Sequence, residues 1–312
     1  LVLSNEQIAA ARAGDPVALA ELDACGLLVG ADETAAEYAT RLESLEANLG
    51  NLEAALKDSG VYEIEDVRLE PATRVPARLF DEPNAKTKGL YGFAMRWVPG
   101  FYIKPLFSWL FAGCAYYFFP DFLAFFIVHK AFLSREKWLI YHRDELLAHE
   151  MCHVARVGLF SVAYEEHMAY RTSTSRFRRN WGGVFHSTRD SLGILTVVGL
   201  LLVSTVLAPV VGVLWLPTPF WIATFGFAAG LVGRHAWYRS RLARAARNLA
   251  ACGVALPDSV LFRCTDAEIR ALGGFGDADD VRAWLAERVG GELRWRVIQA
   301  RFLGDLITVG NP

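Results

Sequence analysis

Cysteine is scarce in this chain of 312 residues, and what there is follows no pattern. Cys25, Cys114, Cys152, Cys252 and Cys264 are odd in number and scattered, with no CxxC pair. A disulfide-stapled scaffold is therefore excluded, and reduced thiols on the cytoplasmic side of a membrane are the simpler reading. Net charge is scarce too. A formal charge of -2 offers no global basic field, so nucleic acid is not an expected partner. The residues from Leu1 to Glu6 contain no basic segment, and Glu6 and Asp15 interrupt any apolar run. No secretory signal peptide is expected there.

Apolar side chains, by contrast, are abundant. The chain is 53% hydrophobic with a mean hydropathy of +0.24, which predicts membrane segments. Leu192 to Leu216 carries no charged residue and is long enough to cross a hydrocarbon core of about 30 Å. Leu216-Pro217-Thr218-Pro219 predicts a turn, and Phe220 to Gly233 is again uncharged. This second run is a marginal span that borrows Trp237 and Tyr238 at the interface. Arg176, Arg178, Arg179 and Arg189 precede the pair; Arg234, Arg239, Arg241, Arg244 and Arg247 follow it. By the positive-inside rule both ends face the cytoplasm, giving a transmembrane helical hairpin in the cytoplasmic (inner) membrane. Arg171 and Arg176 to Arg179 are expected at anionic headgroups. No ionisable residue lies between Leu192 and Gly233, which argues against a channel or transporter.

Residues 1–60 read as helical and acidic. Ala35, Tyr38, Leu42, Leu45, Leu49, Leu52 and Leu56 form an a/d stripe. It predicts either a helix packed on its own domain or a homodimer or partner interface. Prolines 71, 76, 83 and 99 mark residues 61–100 as loop with one or two short strands. The aromatic stretch 101–133 includes Phe107, Trp109 and Phe111 and is split by Pro120-Asp121. It reads as buried strands or as a re-entrant membrane segment. Lys137 to Tyr141 predicts one more short strand. Residues 250–312 predict three short helices, with a capping box at Thr265-Asp266-Ala267-Glu268.

The chemistry concentrates in His149-Glu150-Met151-Cys152-His153. No proline interrupts residues 141–157, acids stand near the helix start, and Gly158 supplies a stop. Residues four apart share a helix face, so His149 and His153 present two imidazoles to one tetrahedral zinc. Glu150 lies beside the open position, where a base can activate zinc-bound water and pass its proton to a leaving amine. The pattern alone occurs by chance in on the order of 1% of chains this long, so its surroundings must carry weight. A turn at Gly158-Leu159-Phe160 and a second helix from near Ser161 would bring Glu166 level with His153, about 7.5 Å from the turn. Glu166 is the expected third ligand, Glu165 the second choice and His167 a further alternative. Tyr170 or His167 is placed to donate to an oxyanion. Glu145, one turn before His149, is a candidate acceptor that orients that imidazole or else a solvated acid, and Cys152 reads as core packing.

His149-Glu150-x-x-His153 followed by Glu166-x-x-Ala169-Tyr170 resembles the gluzincin zinc metallopeptidases over residues 137–175. The E-x-x-A part is similar to the membrane-bound CAAX and heat-shock endopeptidases, which have Asp where this chain has Tyr170. The gap from His153 to Glu166 is shorter than is usual there. The resemblance implies that Tyr141 and the strands before it belong to a small sheet whose edge holds an extended peptide substrate. The expected fold is α+β and mostly helical, a zincin-like core with a small sheet plus a transmembrane hairpin. Its divisions are 1–60, N-terminal helical; 61–190, catalytic; 191–235, hairpin; and 236–312, C-terminal helical. The expected function is a membrane-anchored zinc metalloendopeptidase facing the cytoplasm. The alternative is a non-proteolytic membrane-anchored scaffold with a structural or vestigial zinc site.

Overall fold

Side-chain caps set the first helices. Ser4 and Gln7 form a capping box on α1 (Asn5–Arg12), Asp15 with Pro16 opens α2 (Pro16–Ala24), and a Thr34–Glu37 box opens α3 (Ala35–Asp58). A computed structural model describes residues 3–65, 67–103, 112–118 and 122–306. The described chain is mostly helical with small sheets. The a/d stripe of α3 lies within the chain's own core: Tyr38, Leu42, Leu45, Leu52 and Leu56 are all buried.

Residues 61–100 contain more helix than the prolines predict. β1 (Tyr62–Ile64) and β2 (Val67–Leu69) pair antiparallel, and then α4 (Asp81–Tyr91) follows. Asp81 and Glu82 complement the dipole in its first turn, and Pro83 falls where an N–H has no intrahelical acceptor anyway. Reading proline as loop missed this helix.

The aromatic stretch forms strands where it is described. β3 (Gly100–Ile103), β4 (Gly113–Phe118) and β5 (Leu123–His129) make one sheet in the order β3-β5-β4, with β5 parallel to β3 and antiparallel to β4. Every residue of β5 is buried. Phe107, Trp109, Phe111 and Pro120-Asp121 lie outside the described residues. The strand expected over 137–141 is instead a tight hairpin, β6 (Lys137–Trp138) and β7 (Tyr141–His142). Leu139 takes a positive φ of 51° at its tip, which reverses the chain. This hairpin is separate from the three-stranded sheet.

The motif helix is α5 (Arg143–Arg156). It ends in a tight turn over Val157–Leu159, and Phe160, with φ 48°, provides the left-handed stop expected of Gly158. α6 (Glu165–Ala169) starts four residues later than the expected Ser161. α7 (Arg176–Trp181) leads to α8 (Thr188–Val211) and the 34-residue α9 (Thr218–Ala251). α10 (Pro257–Phe262), α11 (Asp266–Leu272), α12 (Ala278–Gly291) and α13 (Leu293–Ile298) follow, four α-helices among the described residues rather than three. Thr265 and Glu268 do form the capping box of α11. One hydrophobic core draws on residues from Leu3 to Leu303, so the N-terminal helices, the motif segment and the C-terminal helices pack together.

α8 and α9 form the hairpin. Thr224 Oγ1 donates to the Val197 carbonyl, and at the root Arg234 Nη2 meets Asp190 Oδ2 at 2.5 Å. Among the described residues, α8 is the one helix long and apolar enough to cross a membrane, and only 17% of its most apolar stretch is buried. The outer face of α9 likewise exposes Trp221, Ile222 and Phe225.

Candidate metal centre

α5 and α6 bring the predicted ligands together. His149 Nε2 and His153 Nε2 stand 3.1 Å apart, and each is 3.6 Å from a Glu166 carboxylate oxygen. Among the described residues this is the one group of three metal-ligating side chains gathered so closely. The side chains are 12%, 17% and 25% exposed for His149, His153 and Glu166, so the cluster is sheltered but open to a small ligand.

Each histidine is held from behind. His149 shares a hydrogen bond with the backbone of Ala169. His153 Nδ1 donates to Glu165 Oε1 at 3.1 Å, which turns Nε2 toward the site. Glu165 also accepts from Arg156 Nε at 2.7 Å. The fully buried Arg156 guanidinium bonds on to the carbonyls of Phe262 and Cys264. Asp266, first residue of α11, accepts from Ser161 Oγ and from the N–H groups of Val162 and Ala163. It clamps the loop that delivers α6. Sequence reasoning missed Arg156 and Asp266. The signal for Arg156 was its position three residues after His153, on the same helix face; Asp266 left none beyond its capping box.

Glu150 occupies the place expected of a base. Its Oε2 accepts from the N–H of Ala115 at 2.8 Å, a donor on β4 at the edge of the sheet. Close approach of α5 to that strand depends on Gly113, where a Cβ would stand 2.7 Å from the Ile127 carbonyl and 2.8 Å from Leu146. Burial pushes the Glu150 carboxyl up to about 7, against the pull of His153 and of the Ala115 N–H. Burial and the neighbouring His153 hold His149 well below its usual value, and so favour the neutral ring. Burial acts the same way on His153, but Glu165 and Glu166 outweigh it and raise that ring to about 9. Burial raises Glu166, with Glu165 adding to it. Glu165 is pushed up by burial and pulled lower still by Arg156 and His153.

Tyr170 lines the same site. Its ring meets His149 edge-on at 4.6 Å, and burial pushes its hydroxyl up to about 12. Gly182 lies against that ring, where any Cβ would collide at 2.4 Å. A pocket of about 180 Å³ opens over His149 and Glu150, walled in part by Tyr141, Tyr170 and Arg178. A wider cleft of about 570 Å³ lies elsewhere, between the start of α3 and the Gly158–Phe160 turn.

Three expectations are corrected here. Glu145 does not reach His149: it accepts from Ser173, Thr174 and Arg178, and so ties α5 to the segment after α6. His167 faces away from the ligand set, stacking on His235 with His186 tilted against it. Arg171 and Arg178 are engaged within the chain, by Asp258 and Glu145, rather than left for headgroups. Cys152 is fully buried in the core.

Comparison of the chain with protein-family models, with curated proteins and with solved structures finds no match.

Proposed function

We propose that the chain is a membrane-anchored zinc metalloendopeptidase of gluzincin type, with its site at the cytoplasmic face. The observation that carries this reading is the spacing of His149, His153 and Glu166. Tetrahedral ligands at about 2.0–2.2 Å from zinc stand roughly 3.3–3.5 Å from one another; here the two Nε2 atoms are 3.1 Å apart, and Glu166 offers one oxygen to each ring, Oε2 at 3.6 Å from His149 and Oε1 at 3.6 Å from His153. Two imidazoles and a carboxylate also suit zinc chemically, and each histidine has its other ring nitrogen or backbone partner set from outside.

A zinc ion held by these residues supplies Lewis acidity to a water nucleophile and to the scissile carbonyl. Glu150, buried beside the ligand histidines, accepts the proton of the attacking water and returns it to the leaving amine. The Ala115 N–H anchors Oε2 and leaves Oε1 for that proton. Tyr170 stays protonated and donates to the developing oxyanion. The edge of β4 beside Glu150 takes an extended peptide by strand addition, the role the resemblance assigns to such an edge.

The test uses the full chain in detergent. Metal analysis is expected to find about one zinc per chain. Glu150→Gln is expected to keep that zinc and lose cleavage of an unfolded substrate such as casein, by on the order of 10²–10⁴-fold. Less than a tenth of an equivalent of zinc in the wild type overturns the proposal. Zinc retained with no cleavage by the wild type favours the scaffold alternative.

A further inference from the structure

Arginines converge at the root of the α8–α9 hairpin, away from the metal ligands. A pocket of about 440 Å³ lies between α7, α9 and the start of α10, with Arg171, Arg179, Arg239 and Asp258 in its wall. Asp258 is neutralised by Arg171, whose guanidinium meets both carboxylate oxygens at 2.6 and 2.5 Å. Three arginines against one aspartate leave a net charge of +2. Arg239 is fixed in place by Asn180, donating to its carbonyl at 2.9 Å and to its side-chain oxygen at 3.1 Å. The exposed Arg179 guanidinium has no such partner among the described residues. His167, 7% exposed, also lines the pocket. Its ring approaches the backbone of His235, yet neither nitrogen forms a hydrogen bond of normal geometry. Leu242 and Ala246 supply an apolar wall, which strengthens any charge interaction in front of it.

The pocket's height along α9 narrows the ligand. Arg239 is six residues past Gly233, where the uncharged run ends, about 9 Å along the helix axis at 1.5 Å per residue. With the apolar run in hydrocarbon, that height is at the outer edge of a headgroup layer about 5–7.5 Å thick on each side. Trp181 and Trp237, 46% and 44% exposed, flank the same level, where interfacial aromatics collect.

We propose that this pocket binds the phosphate of an anionic phospholipid headgroup, with Arg179 and Arg239 as the phosphate ligands. The inference rests on the membrane reading of α8 and α9 and not on zinc chemistry. Short-chain phosphatidylglycerol, titrated calorimetrically into the full chain in detergent, is expected to bind saturably at about one site. Arg179→Glu and Arg239→Gln are each expected to weaken it at least tenfold, as is replacing the probe by phosphatidylcholine of the same chain length. Undiminished binding by Arg179→Glu overturns the pocket. Inorganic phosphate binding as tightly as phosphatidylglycerol overturns the lipid source in favour of a soluble phosphate. Flotation with phosphatidylcholine vesicles reports hairpin insertion separately and is expected to be unchanged in Arg179→Glu. Failure of the wild type to float overturns the membrane premise and the lipid source with it.

Discussion

Glu165 accepts from His153 Nδ1 at 3.1 Å and from Arg156 Nε at 2.7 Å, whereas Glu166 stands 3.6 Å from Nε2 of both histidines. Adjacent residues on a helix point about 100° apart, so one carboxylate can close the ligand set while its neighbour orients a ligand from behind. That division was half legible: two acids in succession after the motif marked the return helix, but only packing decides which faces the histidines. Glu165→Gln is expected to lower zinc affinity by about 10–100-fold, the usual cost of losing an orienting partner. Glu166→Gln is expected to lower it further, and competition with a chromogenic chelator measures both. Equal losses would mean that the two glutamates are not separated in role.

The short helix α6 explains how a gap of 13 residues from His153 suffices to place Glu166. The chain turns through Val157–Leu159, reverses at Phe160, and crosses to Glu165 along a loop held by Asp266. A strongly periodic helix such as α5 could be read directly, since its acids, its uninterrupted run and its histidine spacing are local. The start of α6 could not, because its anchor lies about a hundred residues away. Asp266→Ala should cost on the order of 2–3 kcal/mol, as expected when hydrogen bonds to a charged acceptor are lost, read from urea unfolding. The same element carries a pH dependence. Burial pushes both Asp266 and Glu268 up, but hydrogen bonds from Ser161 and its neighbours on Asp266, and from Arg294 on Glu268, bring both below their usual range. Carboxylates depressed in the folded state contribute stability above their unfolded pKa of about 3.9–4.3 and lose it as pH falls through the folded values. Thermal unfolding of the full chain is therefore expected to weaken below about pH 4, and less so in Asp266→Ala.

At the scale of the whole molecule, one core holds the N-terminal helices, α5, the second half of α9 and the C-terminal helices together, while α8 contributes nothing to it. Leu195, Leu202, Val206 and Val210 on α8 remain more than half exposed. A contiguous apolar surface of that kind marks a membrane or partner contact in a monomer. Alkaline carbonate is accordingly expected to leave the protein with the membrane fraction, and detergent to release it. Recovery in the carbonate supernatant would count against the spanning hairpin.

The sequence by itself determined the features whose causes are local: the helix carrying His149 and His153, the cap of α11, and an uncharged run of spanning length in α8. Each follows from periodicity, capping chemistry or the absence of charge within one segment. Tertiary structure decided what depends on distant partners. It placed Glu165 behind His153, tied Glu150 to the edge of β4, turned His167 toward His186 and His235, and recruited Arg156 and Asp266 to hold the site. Those choices follow from which buried polar groups can be satisfied together once the core closes, and no single stretch of the chain contains that information.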